Sequence, residues 1–425
     1  MTPAPQAALT PLRQNRDFVL LQVGQTLSTI GSEATAIAYP LLVLAVTHSP
    51  AKAGIVSFAR IVPWALFGFA AGVVADRLNR KWIMVGSDIV RVIVVSSLLV
   101  AFAVDRISVL QVAIVAFVEG SMFVFFNVAE LGALRSVVPA RQLPAAAAAE
   151  QVRWSIVTLV APPLGGFLFG IARVLPFVAD VVSYVFSLVS VVAMRTPFQE
   201  DRPAEQVAFR AELAEGVHWL WSHRFFRACA LLFSWTNLIF EALFFVLIVV
   251  GHDQGLSGAE IGALIAAFGV CSLLGAMAAP PITRRLSMRT LVISGFWLQL
   301  GFAVFLVKPS VYVLLAGSLP MAFFIPAVNA AVIGYRTAVV PDRLTGRVGG
   351  IARTIALCTA AFGPLTAGFL LHSLSARATV AVYAVFMLLL CVLGTWNPSI
   401  RNAPSLSELD DLPRRPEPPA SALPA

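Results

Sequence analysis

Three acids, Glu33, Glu119 and Glu241, each stand near the middle of a long apolar run. An ionised acid at the centre of a membrane helix costs roughly 2.5–3.5 kcal/mol on the insertion scale, so three of them require a use or a partner. Helical spacing aligns polar neighbours with each: Gln22, Thr26, Thr29 and Glu33 in one stripe, Glu119, Asn127 and Glu130 in a second, Ser234, Asn237 and Glu241 in a third. With Gln25 added, these groups are expected to face a water-filled cavity. Two chemistries fit them. A carboxyl there can take a proton on one side of a membrane and release it on the other, which couples a proton gradient to the movement of a second solute. Alternatively, each Glu is balanced by an intramembrane Arg, such as Arg60 or Arg91, or hydrogen-bonds across helices with no part in transport. Asp88 and Arg91 read as a structural pair near the inner surface.

The elements that must position these acids follow from composition. Of 425 residues, 59% are hydrophobic and 12% charged, with a mean hydropathy of +0.85; a soluble domain carries about a quarter charged residues. Apolar runs of bilayer-spanning length recur twelve times, at 17–46, 53–75, 82–104, 107–134, 150–172, 174–194, 226–250, 258–281, 290–307, 310–334, 350–372 and 377–397. Runs of this length without strict alternation are helices, since each must pair its backbone polar groups internally, and barrel strands are excluded. The expected fold class is an all-α integral membrane protein with twelve transmembrane helices. Residues 1–16 form a polar tail with no signal-peptide pattern. Residues 17–194 and 226–397 form two six-helix bundles. The linker 195–225 carries a helix whose Phe209, Leu213, Val217, Leu220 and Trp221 share one face, either an interfacial amphipathic helix or an ordinary solvated one. Residues 398–425, rich in Pro, Ser and charge, are expected to be disordered.

Basic residues orient the chain. With both termini cytoplasmic, 21 of the 30 Lys and Arg lie in inside segments and five, Lys52, Arg106, Arg173, Lys308 and Arg377, in outside loops. The formal charge of +8 is thus directed at anionic lipid head groups and needs no nucleic acid. Other function classes lack their residues. The three Lys precede Ala53, Trp82 and Pro309, so no phosphate-binding loop is present. Cys229, Cys271, Cys358 and Cys391 sit in apolar spans without metal spacing. The five His lie in or beside loops without an acid–base partner, no cofactor or metal site is expected, and no filter-like repeat suggests a channel. The protein is not read as an enzyme.

Between the second and third spans stands "GVVADRLNRK", Gly72 to Lys81. A carboxylate at the C-terminus of a helix opposes the macrodipole, so Asp76 needs a partner, which Arg77 or Arg80 can supply. A faint internal repeat is also present. At an offset of 202 residues, Val137, Val138, Pro139, Arg141, Pro162, Gly166, Phe167 and Leu168 recur as Val339, Val340, Pro341, Arg343, Pro364, Gly368, Phe369 and Leu370. Six spans per repeat relate the halves by an axis along the membrane normal, the arrangement of parallel transporter repeats. "GAEIG" at 258–262 and "GFAAG" at 68–72 fit small-residue helix contacts. Pro40, Pro63, Pro162, Pro163, Pro326 and Pro364 are expected to kink their helices.

The loop resembles the signature of the major facilitator superfamily, G-x-x-x-D-R-x-G-R-K, through Gly72, Asp76, Arg77, Arg80 and Lys81; Asn79 replaces the usual Gly, and tolerates a left-handed turn. "APPLGGFLFG" resembles the superfamily's antiporter motif, with Ala161 in place of its first Gly, and "FGPLTAGFLL" is its repeat partner. "NRDFVLLQVGQTLSTIGS", "VGSDIVR" and "LRSVVPARQLPAAAA" look like the branch containing macrolide-efflux proteins and the enterobactin exporter. The resemblance covers residues 12–397. It implies two pseudo-symmetric six-helix bundles and a conformational latch in which Asp76 meets the region of Gly349 and Gly350. It also implies a bend at Pro162, Gly165 and Gly166 that seals against proton leak, and places Asp180, on the sixth span, outside the cavity. The implied function is export of a small amphipathic molecule (a drug, antibiotic, siderophore or secondary metabolite) by proton antiport, across a bacterial cytoplasmic membrane and as a monomer. The proton gradient is the energy source. An importer or facilitator of the same fold is the alternative.

Overall fold

Side-chain caps start several of the helices. Asn15 accepts from Phe18 N at 3.1 Å ahead of α1 (Arg16–Thr47), and Asn79 accepts from Lys81 N at 2.9 Å ahead of α4 (Arg80–Ala103). Ser287 and Ser375 do the same for α11 (Met288–Gln299) and α14 (Ala376–Trp396). Such caps satisfy amide groups that a helix leaves unpaired at its first turn. The structure, a computed structural model, describes residues 11–198 and 209–403, without the side chains of 209–213, 342 and 343. The expected tails and much of the linker therefore lie outside the described residues.

The remaining long helices are α2 (Pro50–Ile61), α3 (Pro63–Arg77), α5 (Val109–Val137), α6 (Leu143–Ile171), α7 (Leu175–Ala193), α8 (Phe209–Ser222), α9 (Arg224–Asp253), α10 (Gly258–Arg285), α12 (Val311–Val339) and α13 (Asp342–Ser373). Among the described residues there are no strands, and twelve helical stretches are long and apolar enough to cross a membrane. Pro63 separates α2 from α3 at Val62, and a 3-10 stretch at Leu300–Leu306 continues α11. Pro40, Pro162, Pro163, Pro326 and Pro364 lie within helices that run on without interruption. Outward faces carry exposed apolar side chains such as Trp82, Val182 and Val385, as surfaces that meet hydrocarbon must.

The chain divides into two compact units. The first holds residues up to His48, Ile55–Glu205 and Leu256–Ala266; the second holds Ser49–Gly54, Gln206–Gly255 and the residues from Ala267 on. In the first, α1 packs on α6 and α7, while α5 packs on α3 and α4. One of its cores gathers Phe18, Met84, Phe126, Val191 and Phe198. Asp17 accepts from the backbone N–H groups of Arg195 and Thr196 at 3.0 and 2.7 Å, which ties the start of α1 to the segment after α7. In the second unit α9 lies along α13, and α12 packs on α11 and the 3-10 stretch. There α8 docks on α13 through Glu215–Arg347 at 3.2 Å; Leu220 is buried, while Val217 and Trp221 stay exposed, so the apolar stripe expected of an interfacial helix is split.

Glycine sets the closest approaches. In the first unit Gly165 lies against the Ala34 backbone, and Gly166 and Gly262 against Gly258 and Pro162 respectively. In the second, Gly368 lies against Pro50 and Gly54, so the repeat-related pair Gly166 and Gly368 do the same work. Gly72, by contrast, has no neighbour within 4 Å, and Gly68 meets only Trp64 at 3.8 Å, so "GFAAG" is not a helix contact here. A Cβ at Gly363 would lie 2.6 Å from the Leu238 carbonyl oxygen and 2.7 Å from Ala242 N. Gly363→Val should therefore destabilise the second unit by about 1–3 kcal/mol through overpacking. Gly86→Ala, at a site with no neighbour within 4 Å, should leave the thermal unfolding midpoint in detergent unchanged. Equal midpoints for the two variants would refute the packing account.

Candidate functional site

The first unit holds a buried network of charge. Arg60, on α2, donates through Nη2 to the Ser32 carbonyl at 2.8 Å and to Glu33 Oε1 at 3.3 Å, and its Nε stands 3.9 Å from Glu119 Oε1. Glu119, on α5, is 2% exposed and accepts from the Tyr39 hydroxyl at 2.5 Å and the Tyr184 hydroxyl at 3.1 Å. Tyr184 also shares a 2.9 Å hydrogen bond with Ser32. Beside it Asp180, fully buried on α7, accepts from Thr35 at 3.0 Å through Oδ2, while its Oδ1 has no hydrogen-bond partner. Gly31 makes the room, since a Cβ there would lie 2.9 Å from that Oδ1.

The network continues past Tyr184. Arg91, 1% exposed, sits with its guanidinium carbon 5.0, 5.1 and 5.5 Å from the ring centres of Phe126, Tyr184 and Phe123. Those faces compensate a cation whose Nε and Nη2 have no hydrogen-bond partner. Its Nη1 reaches Asp88 at 3.3 Å, and Asp88 accepts from Ser187 at 2.6 Å, which in turn accepts from Gln25 at 3.0 Å. A second cluster lies on α1, α5 and α6. Arg153 pairs with Glu130 at 3.0 Å, pairs closely with Glu150, and donates to Thr29 at 3.4 Å. Gln22 reaches Glu150 at 3.4 Å.

The structure brings Glu33 and Glu119 together through Arg60, and it buries Gln25 and Glu119 between helices, where the stripe pattern had placed them facing open water. Asn127 is half-buried on α5. Glu241 and Asn237 are in the second unit: Asn237 donates to Phe233 O at 3.0 Å, and Glu241 packs its Cβ near Gly363. Asn237 borders a cavity of about 410 Å³ walled by α9, α10, α11, α12 and α13. Asp180, expected outside the cavity, is fully buried beside Tyr184 and Thr35. Tyr39, Tyr184, Glu150 and Arg153 were not singled out in the sequence. The signal for Asp180 was present, since Asp180, Ser183, Ser187 and Ser190 recur at helical spacing on an otherwise apolar span.

In the loop Gly72–Lys81, Arg80 donates to the carbonyls of Ala75, Gly132 and Phe198 at 3.3, 3.3 and 3.4 Å, and Lys81 to those of Val192 and Met194 at 3.1 and 2.7 Å. Both cations thus satisfy carbonyls, several of them near helix C-termini, which they also favour electrostatically. Asp76, with its side chain 78% exposed, stands 3.8 Å from Arg80, while Arg77 is exposed. Asn79, which could tolerate a left-handed turn, instead has φ −63° and serves as a helix cap. Pro162, Gly165 and Gly166 lie in the uninterrupted α6 and act as contact points.

A family model described as transmembrane secretion effector matches residues 6–421. Over 386 residues the chain is 24% identical to multidrug efflux pump Tap of Mycolicibacterium fortuitum, a match covering 87% of this chain and 93% of the pump. Over 205 residues it is 29% identical to macrolide efflux protein A of Streptococcus pyogenes, covering 47% of this chain and 50% of that protein. Among solved structures, a bacterial homologue of the human lysosomal transporter Spinster superposes with a TM-score of 0.73, covering 93% of this chain and 98% of that one. At 15% identity that likeness is one of fold.

The network generates a stability prediction. Arg60→Met strands Glu119 without its cation and should cost roughly 3–5 kcal/mol, as breaking a buried pair does. Adding Glu33→Gln and Glu119→Gln should restore a large part of it. Thermal unfolding of the native protein and the two variants in detergent checks this, and a triple variant no more stable than Arg60→Met would contradict it.

Proposed function

Because the chain belongs to the transmembrane secretion effector family of the major facilitator superfamily, we propose that it exports a small amphipathic molecule by proton antiport. It is a multi-pass membrane protein with the major facilitator fold, a transporter rather than an enzyme. In our reading it works as a monomer in a bacterial inner membrane, with both termini cytoplasmic, by alternating access. The basic residues concentrated on one side of the spans support that orientation. The names of its relatives support export of drug-like molecules.

One observation carries the proton. In the two clusters of the first unit five carboxylates, on Glu33, Asp88, Glu119, Glu130 and Glu150, share three guanidinium groups, on Arg60, Arg91 and Arg153, and a sixth, on the fully buried Asp180, accepts a hydrogen bond from Thr35. An uncompensated charge in apolar surroundings is costly, so the excess carboxylates hold protons instead. Arg60, shared between Glu33 and Glu119, gives the exchange a mechanism. When Glu33 takes a proton the guanidinium is left to Glu119; when Glu33 releases it, the pair re-forms. Release toward the cytoplasm while substrate loads, and uptake from outside during return, is antiport. Glu241 supplies a third acid of this kind from the second unit. The loop Gly72–Lys81 acts as the conformational latch, in which Arg80 and Lys81 fasten the loop to neighbouring backbone carbonyls and the exposed Asp76 carboxylate carries the switchable charge. The backbone contacts of Gly165 and Gly166 beside Pro162 support the seal against proton leak.

Cells lacking their own pumps, expressing this chain and challenged with a compound panel, should gain resistance that a protonophore abolishes. Uptake-dependent growth on a nutrient would contradict export. In vesicles with an imposed pH gradient, Glu119→Gln should slow initial transport by an order of magnitude or more, as loss of a group that carries the coupling does. Asp76→Asn should slow it several-fold with stability unchanged, and unchanged transport in either variant would count against that residue's role.

A further inference from the structure

The two units differ at positions that the repeat makes equivalent. Helices α5 and α12 are both 29 residues long and begin 202 residues apart, at Val109 and Val311. At that offset Asn127 meets its match in Asn329, but Glu119 is replaced by Met321, Glu130 by Val332 and Glu150 by Ala352. Leu134 is replaced by Arg336. Where the first unit is filled by carboxylates and guanidinium groups, the second keeps the space of about 410 Å³ bordered by Met321, Val332, Ala352 and Arg336. That volume is in the range of small-molecule sites, commonly some 300–1,000 Å³.

The lining has a definite chemistry. Phe233, Phe240 and Phe268 contribute aromatic surface, and Asn237, Gln299 and Asn329 contribute amides. Among the described residues no Asp or Glu lines the cavity, and its one charged group is Arg336, whose Nε is buried without a hydrogen-bond partner. A carboxylate or sulfonate placed there gains a charge-assisted pairing with a guanidinium, a planar fork that matches such anions. A cation in the same space would meet a like charge and no counter-charge, and its desolvation would go uncompensated. Aromatic walls favour flat rings against their faces or edges.

We propose that this cavity binds the transported molecule, and that its cargo is an aromatic or polycyclic compound that is neutral or acidic, with any acidic group on Arg336, while organic cations are excluded. The inference rests on the export reading above and sharpens it. Macrolides carry a basic amine, so on this account they are poor cargo for this chain although one of its relatives is named for them. The carboxylate–guanidinium clusters thereby lie in the first unit and the cargo cavity in the second.

The test uses two dyes that share a xanthene body and differ in charge, anionic fluorescein and cationic rhodamine 123. Each is titrated by fluorescence anisotropy onto the purified full chain in phosphatidylcholine nanodiscs, with no pH gradient. The native protein should bind fluorescein about tenfold or more tightly than rhodamine 123, the scale of one well-placed charge pair. Arg336→Gln should erase that preference, and Ala322→Trp, which fills the cavity, should weaken both dyes. Equal affinities for the native protein, or tighter binding of rhodamine 123, overturn the charge assignment. Native binding that persists undiminished in Ala322→Trp overturns the location. Binding needs no flux, so a chain that holds fluorescein but does not move it refutes export and leaves this inference standing. Uphill transport of rhodamine 123 with fluorescein ignored refutes this inference and leaves export standing.

Discussion

A carboxylate taken out of water must find a cation, a set of donors or a proton, and the interior of the first unit is arranged by that requirement. Arg60 is held between Glu33 and Glu119, Tyr39 and Tyr184 complete the shell of Glu119, and Arg91 rests among three aromatic rings against Asp88. These groups come from α1, α2, α4, α5 and α7. The network therefore fixes how those helices pack, and the ion pairs that orient them are the ones that the proposed antiport opens and closes.

The second unit solves the same packing problem differently. Its counterpart helices keep the backbone-level features of the repeat, such as the close approach at Gly368 that mirrors Gly166. Met321, Val332 and Ala352 stand where the first unit has Glu119, Glu130 and Glu150, Arg336 stands where it has Leu134, and all four border the cavity. Shared backbone geometry with divergent interiors is what duplication of a six-helix unit permits, because helix length and glycine contacts set the frame while core side chains vary within it.

Much of this was legible in the residues. Span count and length followed from apolar runs, since a bilayer leaves no other way to satisfy the backbone. The acids were legible as acids, but their partners were not. Arg60 is one residue among many on a span, and only the packing of α2 against α1 and α5 places it between Glu33 and Glu119. The sequence does not show that α7 packs directly on α1, which is what brings Asp180 to Thr35. Asn79, in place of the usual Gly, caps α4, because an Asn just before a helix gains a backbone donor that way. Of the cavity in the second unit, Asn237 was legible as a polar residue on a helical stripe, whereas the shape of the space exists only once five helices meet.

The central claim is that the first unit carries more buried acid than its guanidinium groups can neutralise and therefore stores protons. The infrared carbonyl band of protonated carboxylic acids, recorded on the purified protein at neutral pH, reports this without any substrate. The account predicts that the band is present and loses intensity when Glu130 or Asp180 is changed to its amide. A spectrum with no such band at neutral pH would contradict it.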